Sequence, residues 1–341
     1  MKRAEQRGWM IGEMPRGARN TITDVPGVTV GHTTIAEGDY NTGVTVIMPC
    51  TDNPFANKLT AACHVLNGFG KTAGLMQIEE LGTLETPIAL TNTLNVGLVH
   101  NAMVGYMIDR CKQDGLPLRS VNPVVCECND ASLNDICGRA VRTEHVRTAI
   151  LTASSDFALG AFGAGRGMTC HGLKGGIGSA SRLIELAGQT YTLGVLVLTN
   201  HGRLNDLMIQ GRNIGKEIQK QMAESLPDKG SCIVIMATDL PLSDRQIHRV
   251  IRRAGVALAR LGSYTGHGSG EVFLGFTTAN RIPHSPAASL VPMTVIHEDC
   301  IDLAFRAMAE ATEEAVLDSM LMAETVIASN GTTRRSLADF L

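Results

Sequence analysis

Pro227-Asp228-Lys229-Gly230-Ser231-Cys232-Ile233-Val234-Ile235-Met236-Ala237-Thr238-Asp239 is the stretch on which the reading of this chain turns. Before it, residues 210–229 are polar, with Lys216, Glu217, Lys220, Glu224, Asp228 and Lys229, and they read as a helix followed by an exposed loop. From Ser231 onward the chain is apolar and rich in β-branched residues, the signature of a buried strand. The change from surface loop to core strand falls across one Gly-Ser bond.

Working outward, further strands are expected at 27–35, 43–48, 87–91, 123–128, 191–198 and 271–277. Helices are expected at 72–81, where Leu75, Ile78 and Leu81 share a face, at 96–111, at 243–261 behind a Ser243 N-cap, and over the alanine-rich 300–324. Strands and helices mix along the whole length, with no Pro/Ser-rich linker and no internal repeat. A single α/β (α+β) domain over residues 1–341 follows.

Composition narrows the class. Hydrophobic residues make up 44% and charged residues 18% of 341, so a sizeable core is available. The net charge is −3 with both signs interspersed, which argues against a nucleic-acid partner. Neither a signal-peptide pattern nor a membrane-length apolar run is evident. Nine scattered cysteines without paired CxxC knuckles suit a reduced, cytoplasmic protein. Of the ten histidines, His32, His64, His171, His201, His267 and His297 are dispersed without a metal-ligand spacing, so neither metal nor cofactor is expected. Gly70-Lys71-Thr72 imitates the end of a phosphate loop, but Val65 stands where the earlier glycine is required. The chain has 36 glycines, with clusters within 68–74, 160–178 and 262–275, and loops converging on one place are expected there.

A serine that opens a buried strand behind glycine and a loop is what self-cleavage to an N-terminal nucleophile requires. Glycine permits backbone strain at the bond to be cut. The hydroxyl attacks the preceding carbonyl, an N-to-O shift gives an ester, and water frees an α-amine that then serves as base. An α-amine has a pKa of ~7.8, against ~10.4 for lysine, so it needs little tuning near neutral pH. The dipeptide alone is also what any turn before a strand looks like.

Longer motifs separate these readings. They include Ile22-Thr23-Asp24-Val25-Pro26-Gly27-Val28, Leu66-Asn67-Gly68-Phe69-Gly70-Lys71-Thr72 and Leu90-Thr91-Asn92-Thr93-Leu94. Leu133-Asn134-Asp135-Ile136 and Lys174-Gly175-Gly176-Ile177-Gly178-Ser179-Ala180-Ser181-Arg182 follow. In order and length they resemble the DmpA-type aminopeptidases, a group that takes in L-aminopeptidase/D-esterase-amidases and β-peptidyl aminopeptidases and is related to the ornithine acetyltransferases. The resemblance implies an αββα sandwich similar to the N-terminal nucleophile hydrolases but differently connected. It also implies a precursor cut before a serine in Ser-x-Ile-Val-x-x-x-Ala-Thr-Asp. Ser231, Ile233, Val234, Ala237, Thr238 and Asp239 fit this pattern, with Ala237 and Thr238 one position early. The implied fragments are 1–230 and 231–341.

The resemblance also implies roles at other positions. Ser269, in Gly266-His267-Gly268-Ser269-Gly270-Glu271, would hydrogen-bond the freed amine or the nucleophile, and Glu271 would orient that network. Asn200 would be an oxyanion donor. Glu127 would hold the free amino group of the substrate, which makes the enzyme an exopeptidase. Family members often carry an aromatic residue shortly after this glutamate, where this chain has Cys128 and Asn129, so a more polar pocket or a shifted substrate is expected. The substrate would be a short peptide, amide or ester with a free amino end, and homo-oligomers of processed heterodimers are expected. Two other functions are compatible with these residues. One is an acyltransferase using the same nucleophile, and the other is a non-catalytic metabolite-binding protein.

Overall fold

The computed structural model describes residues 1–222, 230–286 and 289–341. Most of the expected exposed loop, residues 223–229, therefore lies outside the described residues. Ten strands build two sheets. They are β1 (Thr29–Glu37), β2 (Tyr40–Met48), β3 (Asn57–Gly68), β4 (Thr83–Leu84) and β5 (Ile88–Asn92), then β6 (Val124–Cys128), β7 (Gly176–Leu186), β8 (Gln189–Asn200), β9 (Ser231–Thr238) and β10 (Gly270–Pro283). One sheet has the order β1-β2-β5-β6, and the other β4-β3-β10-β9-β8-β7. Only β5/β6 and β9/β10 pair in parallel within these two sheets.

Period-two side-chain alternation turns β9 into the partition between two cores. Ile233, Ile235 and Ala237 face the other sheet and meet Ile88, Leu90, Cys126 and Cys128. Cys232, Val234 and Met236 point the opposite way, against a helical layer. That layer contains α5 (Asp244–Ile251), α6 (Ala254–Arg260) and α7 (Ile301–Leu321). Val44, Val46, Ala89 and Val125, on the far face of the smaller sheet, pack against α2 (Val96–Gln113) and α3 (Thr143–Leu151). The layers run helix, sheet, sheet, helix, the expected αββα sandwich. Burying an isoleucine such as Ile233 or Ile235 is worth about 1.5–3 kcal/mol, so β9 is held firmly on both faces.

Three expectations shift. Residues 57–68 and 176–186 are strands although neither was expected to be. β7 reads as a glycine-rich loop because α7 lies directly on it, and a Cβ at Gly178 would stand 1.8 Å from the Ala315 carbonyl oxygen. Small residues were selected there by close packing, which overrides strand propensity. The helix expected over 243–261 opens with Ser243 as cap, paired reciprocally with Gln246, but it breaks into α5 and α6. The segment starting at 210 forms a short β-hairpin, Met208–Ile209 with Arg212–Asn213, before the brief helix Ile214–Gln219.

Two cations of the 174–182 motif hold the frame. Lys174 is fully buried, and its Nζ donates to the carbonyls of Gly165, Met168 and Gly175 at 2.7–2.9 Å. Arg182, also fully buried, pairs with Glu310 and Glu314 of α7 and donates to the Ile11 carbonyl. No helix among the described residues is long and apolar enough to cross a membrane.

Candidate active site

Register places the site. In the antiparallel β8/β9 ladder Asn200 stands opposite Ser231, and in the parallel β9/β10 ladder Gly270 does. Ser231 is therefore the first residue of a central strand, with Asn200 on one side and the Ser269–Glu271 segment on the other. It lines a cavity of about 520 Å³ together with Gly230, Asn200 and Glu127. Phe69 and Lys71, Thr169 and Gly172, and Gly268 line it too, so the three glycine clusters do converge.

Space requires a glycine at position 230. A Cβ there would lie 1.7 Å from the Asn200 carbonyl oxygen and 2.7 Å from its carbon. Two backbones approach closely at this point, which a side chain on residue 230 would prevent. The Gly230 carbonyl accepts a hydrogen bond from the Gly270 N–H at 3.1 Å.

Asn200 is held at both ends of its amide. Its Oδ1 accepts from the Thr169 N–H at 2.8 Å, and its Nδ2 donates to the Asn129 carbonyl at 2.8 Å. A side-chain NH₂ has two donors, and this arrangement commits one of them. Glu127 is buried at the cavity wall. Its Oε1 accepts from the Lys71 N–H at 2.9 Å and its Oε2 from the Thr93 hydroxyl. An acceptor-only carboxylate with about four lone-pair sites can take a further cationic donor in this position.

Ser269 and Glu271 do not line the cavity. Both are buried, the Ser269 hydroxyl donates to the Glu271 carboxylate, and Glu271 is the ladder partner of Cys232. They flank Gly270, the ladder partner of Ser231 on the neighbouring strand. The 266–271 loop is tied down by the Ser269 N–H to the Gly266 carbonyl and by Asn67 Nδ2 to that same carbonyl, at 2.9 and 2.8 Å.

The neighbouring thiols are unsuited to attack. Burial pushes Cys128 and Cys232 well above the usual thiol value and Cys126 up to about 12, with nearby carboxylates adding to each. A thiol must ionise to be a good nucleophile, so burial disfavours attack by these cysteines. Cys128 instead turns its Sγ toward the carbonyls of Ser231 and Leu198.

Sequence reasoning missed several lining residues. Phe69 supplies an aromatic wall from a different loop than the one after Glu127, with the Lys71 ammonium 4.3 Å over its ring. Asn129 lines the cavity and steadies Asn200 through its carbonyl. Arg334 enters from a C-terminal ribbon, Val326–Ile327 with Thr333–Arg334, that no periodicity announced.

Comparison with known proteins agrees with this geometry. The profile of Peptidase family S58 matches residues 20–334. A beta-peptidyl aminopeptidase of Sphingosinicella xenopeptidilytica is 38% identical over 92% of this chain and 83% of its own length. A solved Pyrococcus horikoshii protein superposes with a TM-score of 0.94 at 44% identity, covering 98% of this chain and 96% of the other. The L-aminopeptidase D-Ala-esterase/amidase of Ochrobactrum anthropi superposes at 0.92 with 33% identity, covering 99% and 96%. That structure is described as a prototype for the serine aminopeptidases and a new variant among the Ntn hydrolase fold. The chain belongs to peptidase family S58 and is a hydrolase of the serine aminopeptidase type.

Proposed function

We propose that the chain cuts itself between Gly230 and Ser231, and that Ser231 then serves as the N-terminal nucleophile of an aminopeptidase for short peptides, amides or esters with a free amino end. The observation that carries this reading is that Ser231, at the start of its strand, shares one cavity with the buried carboxylate of Glu127.

In the first reaction Ser231 Oγ attacks the Gly230 carbonyl carbon, and the C–N bond breaks with transfer of the acyl group to oxygen. Water then releases the Gly230 carboxylate and the Ser231 amine. The Gly270 N–H already donates to the oxygen on which negative charge develops. In turnover, the amine accepts the Oγ proton as Oγ attacks the substrate carbonyl, and that proton passes to the leaving amine. The second Asn200 donor takes the oxyanion, and water clears the acyl-enzyme. Glu127 binds the substrate ammonium, which gives the preference for chain ends. Ser269 and Glu271, buried one strand away, act as positioning residues for the new amine.

The relatives' names point to two substrate sets, N-terminal β-residues and N-terminal L-residues, whose relative rates decide specificity. The processed chains are proposed to assemble as homo-oligomers of heterodimers. Nine cysteines, seven of them buried, with no disulfide among the described residues, support a reducing, cytoplasmic setting.

Denaturing electrophoresis with intact mass tests the reading. Wild type should give two fragments, the smaller of 111 residues beginning at Ser231, and Ser231→Ala a single chain. Intact, active wild type, or aminoacyl p-nitroanilide hydrolysis that survives Ser231→Ala, would refute it.

A further inference from the structure

Behind the wall that carries Asn200, three soft or borderline donors meet. Cys170, His171 and His201 are all buried, and one donor atom from each lies within 4.8 Å of the others. Cys170 and His171 belong to a hairpin, Thr169–Cys170 with Leu173–Lys174, while His201 follows strand β8. The two segments are joined by the His171 N–H to the His201 carbonyl, 2.7 Å.

His201 sets the question. It is 2% exposed, yet among the described residues neither ring nitrogen has a hydrogen-bond partner. A buried polar ring normally has one, and a phenylalanine would fill the space without that cost. The two imidazoles meet edge to face, with centroids 5.5 Å apart. Beside it, His171 Nδ1 lies 3.0 Å from the Arg203 carbonyl, which places the proton on Nδ1 and makes Nε2 the lone-pair nitrogen. A second ring nitrogen held by a backbone carbonyl is the usual support of a metal-ligating histidine.

The geometry points to a binding site for a thiophilic d-block cation, of which zinc is the type case, held by Cys170, His171 and His201. Around such an ion, Zn–N of about 2.0–2.1 Å and Zn–S of about 2.3 Å put ligand atoms roughly 3.3–3.7 Å apart. The donor atoms lie within 4.8 Å of one another, so binding draws them together by at most about 1–1.5 Å, and the Cys170 proton leaves to solvent as the thiolate ligates. The backbones of Gly172 and Gly202 form the cavity wall in front of the cluster, so the ion enters from the substrate side.

Occupancy acts on the peptidase through two peptide bonds. Cys170 follows Thr169, whose N–H holds Asn200 Oδ1, and His201 follows Asn200 itself. A shift of about 1 Å in an oriented group costs on the order of 100-fold in rate, so the site is inhibitory. This effect on turnover rests on the proposed role of Asn200, whereas binding does not.

The test titrates processed enzyme with Co²⁺ and then Zn²⁺. Co²⁺ should give a near-ultraviolet thiolate-to-cobalt charge-transfer band that saturates at one ion per chain and that Zn²⁺ displaces. Cys170→Ser should lose the band, and His201→Phe, which preserves the edge-to-face ring pair, should weaken binding at least 100-fold. Zn²⁺ should suppress wild-type hydrolysis about 100-fold, reversibly with chelator, and leave His201→Phe at its own metal-free rate. Absence of the band, or a band of equal strength in both variants, overturns the site. A band at one equivalent with undiminished hydrolysis overturns the inhibitory role while leaving the site.

Discussion

Replacing Gly230 by alanine probes the junction without touching a reactive atom. The new Cβ would start 1.7 Å from the Asn200 carbonyl oxygen, whereas real Cβ atoms keep at least about 3.0 Å from a neighbour. Both partners are backbone, so no side chain can swing away. One of them must retreat by at least about 1.3 Å, which breaks the Asn200–Ser231 register. Overpacking of this kind costs about 1–3 kcal/mol of stability. A displacement beyond 1 Å at the attacking hydroxyl costs on the order of 100-fold in rate. Gly268→Ala is the matched control, because Gly268 lines the same cavity but its added Cβ would meet nothing within 4 Å. Fragment formation should be followed over time by intact mass, with thermal melting as the check on folding. Gly230→Ala should melt cooperatively, a few degrees lower, and process at least 100-fold more slowly than wild type and Gly268→Ala. Folded Gly230→Ala that processes at the wild-type rate would refute the close-approach argument.

Glu127→Gln should lower kcat/KM for free-amine substrates by about 10–100-fold, since a buried charged hydrogen bond is worth about 1.5–3 kcal/mol. N-blocked esters should be hydrolysed nearly as before, and equal losses on both would remove the anchoring role. Asn200→Ala should cut kcat by about 100–1,000-fold with little change in KM, the signature of a donor used in the transition state. A change confined to KM would contradict it. His32 reports on acid stability. Burial lowers its pKa from the ordinary 6.5 to about 4, although the hydrogen bond to the Ala158 carbonyl opposes the shift. The unfolded chain thus binds the extra proton first, so His32's contribution is complete above pH 6.5 and lost as pH falls through 4. His32→Gln should flatten the stability curve between pH 6.5 and 4 by up to about 1.4 kcal/mol per pH unit. A slope identical to wild type would show that His32 is not the titrating group.

By itself the sequence determined most of the central strands and the place of Ser231 at the head of one of them, while the layers came from the family resemblance. The apolar runs of β2, β5, β6, β8 and β9 are long and β-branched, so they read as buried strands before any contact is known. Ser231 was legible for the same reason, as the first residue of such a run behind glycine and a polar stretch. Tertiary structure decided everything that depends on register. It converted the glycine-rich 176–186 into a strand, because α7 leaves room for nothing larger at Gly178. It set Ser269 and Glu271 one strand behind the cavity that Glu127 and Asn200 line, a distinction that spacing along the chain does not carry. It brought His201 to Cys170 and His171 across about thirty residues, where linear metal-ligand spacing showed nothing. Local periodicity reports which face of an element is buried. Which residues from different elements meet is fixed by the pairing of strands and the close approach of backbones, and neither is written within any one segment.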